Sequence, residues 1–245
     1  DAWNSDFSHD TEVAQAGYHK VVLGRYGITA EMTSTMRVAM HRWTFSQGGC
    51  ADVMFDMLSI LKEAHPFDCS VTKVGGSELE GWVHMRPGGK WGQGKGYRLF
   101  FIAQFDRPIQ ELRGWKEKDL GVVDEVSGFP VVAYPRFKVS DGDVMQMKLA
   151  LSYCSVEQAR SNMALELDHW SFGRVKKESR DEWNDMLKRV EVKGGTDDQK
   201  RKFYTDLWHV LLGRSTYSDA NGKYPDRIDK DQVVIRNLPG KNIAP

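Results

Sequence analysis

Two periods of hydrophobic patterning divide this chain. From about Tyr18 to Cys154, apolar and polar residues alternate in short runs, the spacing of half-buried β-strands. Val144 to Cys154 shows it best: Met145, Met147, Leu149, Leu151 and Tyr153 alternate against Gln146, Lys148 and Ser152. Ile28, Ala30 and Met32 alternate with Thr29, Glu31 and Thr33, and Tyr97 to Phe105 is a nearly continuous apolar run. Asp141-Gly142, just ahead of Val144, is a strong hairpin signal. Short strands broken by glycine and proline predict an antiparallel sandwich, with Gly88 to Gly96 as a glycine-rich loop between two strands.

At Ser155 the period lengthens to about 3.6. Ser155 and Gln158 form a capping box for a helix carrying Val156, Ala159 and Met163. A second helix, about Phe172 to Val190, sets Phe172, Val175, Trp183, Met186, Leu187 and Val190 on one side, and Lys193-Gly194-Gly195 ends that region. The third is the clearest. Thr196 caps it with Gln199 three residues on, Asp197 and Asp198 complement the helix dipole, and Phe203, Tyr204, Leu207, Trp208 and Leu211 share a face. Gly213 is placed to stop it, and Asn221-Gly222 reads as a type I′ turn. These signals predict a β-sandwich over 1–154, linker helices over 155–195 and the opening of a second domain over 196–245.

The wording of four segments carries more than their periodicity. FYTDLWHVLLGRSTYSDANGKY (Phe203 to Tyr224) resembles the start of the helical barrel in glycoside hydrolase family 92, the calcium-dependent exo-acting α-mannosidases. Phe7 to Phe45, Lys148 to Leu167 and Trp183 to Gly195 resemble the same family in the same order, and the likeness weakens between about Gln47 and Arg136.

The resemblance implies an antiparallel β-sandwich, incomplete at its N-terminus, followed by linker helices and the first helix of an (α/α)6-type barrel. It implies an enzyme that releases terminal α-linked mannose, α-1,2 linkages foremost, from mannose-containing glycans with inversion, and that is exported to the periplasm or beyond the cell. Calcium is its cofactor, holding the sugar in a distorted ring. The chain starts at Asp1 without methionine or signal peptide and stops at Pro245, soon after the first barrel-type helix. On the resemblance, it is an internal piece of the enzyme. The catalytic carboxylates and the calcium ligands are then expected outside it, so the catalytic residues are unknown here and this segment is expected to hold no metal and to be inactive alone.

The residues permit some tests of that picture. An inverting glycosidase needs an acid and a base roughly 6.5–9.5 Å apart, with room between them for water. No spacing among the 34 acidic residues picks out such a pair, and Glu178, Asp181 and Glu182 read as a solvated helix face. Asp219-Ala220-Asn221-Gly222 brushes against a calcium-loop pattern, but its glycine arrives fourth where an EF-hand loop needs it sixth. Asp219 and Tyr224 are candidate substrate contacts if that turn faces the barrel's opening; otherwise they are turn structure. His9, beside Asp10 and shortly before Glu12, is a third candidate, against a structural role at the junction of sandwich and barrel.

Composition narrows the rest. In this 245-residue chain, 34 basic and 34 acidic residues cancel, which disfavours electrostatic capture of nucleic acid. No apolar run approaches the roughly 20 residues that span a bilayer. Cys50, Cys69 and Cys154 lack the CxxC spacing of a zinc site; one disulfide or three thiols both fit. Eight tryptophans, with Trp82 and Trp91 near the glycine loop, suit sugar stacking as well as core packing. There is no GxSxG, HExxH or Walker motif. Besides the mannosidase piece, a non-catalytic carbohydrate-binding sandwich and a ligand-free structural module remain as alternatives. The helices from Val156 to Leu211 argue against both, since a free-standing sandwich has no use for a barrel's first helix.

Overall fold

A computed structural model describes residues 3–59, 65–86, 96–212, 216–226 and 234–238. Gly213, Trp91 and the loop from Gly88 to Gly94 lie outside them. Among the described residues sixteen strands and three helices follow in order. The strands of the sandwich are β1 (Val13–Gln15), β2 (Tyr18–Leu23), β3 (Ile28–Ser34), β4 (Val38–Phe45), β5 (Gly49–Asp52), β6 (Phe55–Asp56), β7 (His65–Val74), β8 (Glu78–Arg86), β9 (Tyr97–Phe105), β10 (Glu111–Lys116), β11 (Lys118–Val122), β12 (Glu125–Gly128), β13 (Val132–Val139) and β14 (Val144–Ser152). The helices are α1 (Val156–Glu166), α2 (Phe172–Leu187) and α3 (Asp197–Leu212), and a short ribbon, β15 (Lys223–Asp226) and β16 (Val234–Asn237), follows.

A nine-stranded antiparallel sheet, ordered β1-β2-β3-β4-β14-β9-β8-β7-β12, packs on a five-stranded one that includes β11-β10-β13-β5, with β6 on β13. Between them lies one core. Cys69, Val71, Leu79, Phe101, Phe105 and Met145 from the large sheet meet Leu112, Ala133, Phe137 and Val139 from the small one. A second core covers the other face of the large sheet, where Val38, Met40, Ile102 and Ala150 receive Ala159, Met163, Leu167, Phe172 and Val175 of the helical segment. The large sheet is therefore a middle layer.

That arrangement corrects two expectations for β14. Its polar side does not face water: Lys148 and Ser152 are each 3% exposed, covered by the helical layer. The Lys148 ammonium sits 4.3 Å from the Trp170 ring centre and donates to the Leu167 carbonyl at 3.3 Å, while burial holds its pKa below the ordinary lysine value. Asp141-Gly142 does make a tight turn, with Gly142 at φ 77°. However, the turn joins strands of different sheets, because β14 is buried on both faces between β4 and β9 rather than paired with β13. Turn chemistry specifies the reversal; burial chooses the partner.

The three helices fall where the 3.6 period puts them. Ser155 Oγ accepts from the Gln158 amide at 3.2 Å, and Thr196 and Gln199 cap α3 reciprocally at 3.3 and 2.9 Å. Glu178 and Asp181 pair with Arg174 and Lys177 on an exposed face of α2, the solvated arrangement that the charge run suggests. No helix of the described residues is long and apolar enough to cross a membrane.

Candidate functional site

The sandwich, α1 and the segment after α3 meet around one buried carboxylate. Asp219 is 3% exposed. Its Oδ2 accepts from Ser152 Oγ at the end of β14 (3.0 Å), and its Oδ1 accepts from Asn162 Nδ2 on α1 (2.8 Å). Asn162, itself fully buried, also donates to the Leu151 carbonyl at 2.9 Å and accepts from the Ala220 amide at 2.8 Å, so both ends of its amide are engaged. Beside this network, burial and the Asp219 carboxylate push the Cys154 thiol up to about 12. All three cysteines are free.

The turn that delivers Asp219 is not of type I′. That type needs positive φ at both central residues, and of Asn221 and Gly222 only Gly222 has it, at 83°. The Gly222 amide donates to the Asp219 carbonyl at 2.9 Å, and the Asp219 amide to the Lys223 carbonyl at 2.7 Å. Asn221 instead uses its side chain, donating to Gln158 Oε1 on α1 at 2.8 Å. Packing of the turn against α1 has overridden the local preference.

A second polar link runs alongside. Arg37, at the start of the β3–β4 connection's return, forms an ion pair with Glu166 at the end of α1, and the two side chains are 10% and 5% exposed. Glu166 Oε2 also accepts from Thr35 Oγ1 (2.7 Å) and the Arg37 amide (2.9 Å), and Arg37 Nε donates to the Ser218 carbonyl at 2.7 Å. Tyr153 and Tyr217 pack with their rings tilted at 36° and 4.8 Å between centres, and the Tyr97 ring lies 5.9 Å from that of Tyr153.

A cleft of about 740 Å³ opens on the other side, between the β1–β4 end of the large sheet and α3. Its walls include His19, Met32 and His41 from the sheet and Arg201, Tyr204 and Trp208 from α3. Burial lowers the His41 pKa to about 4, so its ring is neutral, and it stacks on Trp43 at 5.5 Å. Glu12 bridges two histidines at the rim, meeting His9 Nδ1 at 2.6 Å and His19 Nε2 at 3.0 Å. Those bonds, His19 first, hold the Glu12 carboxyl below its ordinary range.

The three candidate residues thus occupy three settings. His9 is on an exposed turn, with its side chain 86% exposed and tied to Glu12. Asp219 is enclosed in the junction with both oxygens engaged. Tyr224 is half-buried on β15, opposite Arg236 of β16. Asp219 and Tyr224 share one turn, closed by the bond from the Asp219 amide to the Lys223 carbonyl, and His9 belongs to another turn, bonded to Glu12. Among the described residues no group of three or more His, Cys, Asp or Glu side chains is placed to hold a metal. Residues that the sequence did not mark, Asn162, Arg37 and Glu166, do most of the joining. Asn162 was findable as the one amide on the buried side of α1, three residues from Ala159. Arg37 and Glu166 are 129 residues apart and carry no local signal.

Comparison with known proteins decides the family. The family model for the glycosyl hydrolase family 92 N-terminal domain matches residues 1–152, and that for the family 92 catalytic domain matches 158–237. The chain belongs to glycosyl hydrolase family 92. Among solved family 92 structures, the α-mannosidase BT3965 from Bacteroides thetaiotaomicron is 27% identical with a TM-score of 0.84, over 96% of this chain and 31% of that one. The same enzyme in complex with mannoimidazole superposes with a TM-score of 0.83 at 27% identity, over 96% of this chain and 30% of that one. The inverting mannosidase BT2199 from the same species, strain VPI-5482, is 24% identical with a TM-score of 0.82, over 95% of this chain and 30% of that one, and shows the shared fold. No curated protein matches the chain. It spans under a third of the family 92 structures that it resembles.

Proposed function

We propose that this chain is the sandwich and barrel-opening portion of an exo-acting α-mannosidase that hydrolyses terminal α-linked mannose, α-1,2 linkages foremost, with inversion. One observation carries the reading: both family domains match in order, and the buried Asp219–Asn162–Ser152 network binds the second to the first. On this reading residues 1–154 are the sandwich, 155–195 the linking helices and 196–245 the start of the barrel. The clamp's role is to fix the barrel's opening against the sandwich, so that the sandwich forms one side of a cleft that admits only glycan ends. Asp219 acts through position, while His9 and Tyr224 are the candidates with side-chain surface for a sugar. The acid and base belong to the rest of the enzyme, as does calcium, which would hold the sugar in a distorted ring when bound. Periplasmic or extracellular placement is part of this reading, carried by the family resemblance.

Binding groups without an acid and base leave the barrier to glycoside hydrolysis largely intact. This segment and a longer chain containing it should therefore be incubated with an aryl α-mannoside and an α-1,2-mannobiose, with and without a chelator. The expected pattern is release of mannose as its β-anomer by the longer chain, loss of that activity on chelation, and a silent segment. Turnover by the segment alone would put a catalytic pair within it. Retention of the α-configuration would overturn inversion, and tight sugar binding without turnover by the longer chain would favour the binding-module alternative.

A further inference from the structure

The outward face of β8 changes character along its length. Glu78 and Glu80 at one end pair with Arg160 of α1, at 2.6 and 3.3 Å. Beyond them, on the same face by the two-residue period, come Trp82, His84 and Arg86. Register sets Arg98 and Phe100 of β9 beside His84 and Trp82, and Asp68 of β7 on the other side of His84. Arg86 lies over the Phe67 ring at 4.2 Å and Arg98 over the Trp82 ring at 4.7 Å, with the His84 ring 4.3 Å from Phe67.

Both guanidiniums are exposed, and among the described residues neither forms an ion pair, whereas Arg37, Arg42, Arg107, Arg136 and Arg160 all do. The sequence around them offers no acid. From Gly81 to Phe105 there is no Asp or Glu, while Arg86, Lys90, Lys95 and Arg98 are basic. In a chain of zero net charge this is a concentrated positive block. Asp68, opposite His84 across the ladder, is an opposing charge on this face, and burial and then Arg98 hold the His84 pKa down. Arg86 and Arg98 are diagonal neighbours across the ladder, roughly 7–8 Å apart at the backbone. A guanidinium stacked on a ring has less freedom left to lose, and its N–H fork matches a carboxylate or sulfate.

We infer that this face, around Arg86, Arg98, Trp82, Phe67 and His84, is an accessory binding site for an acidic polysaccharide, a pyranose chain bearing carboxylate or sulfate. Its anionic group sits between the two guanidiniums, and its ring lies along the aromatic edges. The saccharide half of this assignment rests on the glycosidase reading; the anion half rests on the arginines alone. The site is separate from the cleft beside α3, on the far strands of the large sheet.

Affinity electrophoresis of this chain through gels holding dextran, dextran sulfate, polygalacturonate or single-stranded RNA tests it. Dextran sulfate or polygalacturonate should retard the chain and neutral dextran should not, and whichever acidic polymer does so tells sulfate from carboxylate. Arg86→Gln and Arg98→Gln should each weaken retardation about tenfold or more, the worth of a charge-assisted hydrogen bond. Arg86→Lys with Arg98→Lys keeps the charge but not the fork and should lose part of the binding, which covers the case of a Gln variant that does not fold. A control removing the same charge elsewhere, Lys177→Gln with Lys202→Gln, should change little. Equal losses in control and site variants, no retardation by either acidic polymer, or stronger retardation by RNA would each overturn the inference. Mannosidase turnover plays no part in the readout, so this test and that of the catalytic reading fail independently.

Discussion

Helices α1 and α3 make opposite bargains with the same sandwich. α1 has a thin apolar stripe, yet Ala159, Asn162 and Met163 are buried, Asp219 holds its middle at Asn162 and Arg37 holds its C-terminal end at Glu166. α3 has the better sequence: a reciprocal capping box, acids in its first turn and a broad apolar face. None of its residues is buried, and Val210 and Leu212 stand 70% and 48% exposed. Its ties include the Tyr204 hydroxyl, which donates to the Val190 carbonyl at 3.0 Å and accepts from the Val192 amide at 3.4 Å, and the Trp183–Trp208 ring contact at 6.3 Å. Caps and periodicity thus report whether a segment will be helical, while buried polar partners decide whether it is fastened.

Removing one partner of a buried pair should break α1's hold most severely. Arg37→Met leaves the Glu166 carboxylate enclosed without its guanidinium, a loss of about 3–5 kcal/mol. Chemical denaturation should show it as a lower midpoint with an unchanged slope. A change below about 1 kcal/mol would mean that Thr35 and the backbone amide suffice for Glu166.

That link also marks the limit of what the sequence discloses. The positions of β3, β9, β14 and all three helices were legible, because each has a clean period or a cap within a few residues. The sheet order was not, since β14's insertion between β4 and β9 depends on burial of both its faces. Nor was the junction. Asp219 attracted attention as a turn residue, but its partners Ser152 and Asn162 lie 67 and 57 residues away, and nothing local announces a bond of that span.

Asp219→Ala should come next in size. It strands the Ser152 hydroxyl and one Asn162 N–H in the interior, worth about 1–3 kcal/mol. A double-mutant cycle with Asn162→Ala measured by thermal denaturation should give strongly non-additive losses, because the residues share one network. Additive losses would dissolve the clamp into independent contacts.

The caps give the smallest effect and the sharpest contrast. Ser155→Ala removes the acceptor at α1's first turn and should lower global stability by about 1 kcal/mol. Thr196→Ala makes the same chemical change at α3, yet should leave the global midpoint in place and speed amide hydrogen exchange along Phe203 to Leu211. Equal shifts in the midpoint would show that α3 unfolds with the sandwich after all.

The placement of β14 has a consequence for how the chain comes off the ribosome. Until Val144 to Ser152 emerges, β1–β4 and the β7–β9 group with β12 are separate ribbons, each ending in an unpaired edge at β4 or β9. At about 5–20 residues per second, synthesis from Phe45 to Val144 holds the β4 edge open for on the order of 5–20 s. Open edges recruit stray strands. The nascent chain is therefore most prone to mispairing just before its last sandwich strand arrives, and the helix that follows at once, α1, closes over the completed sheet.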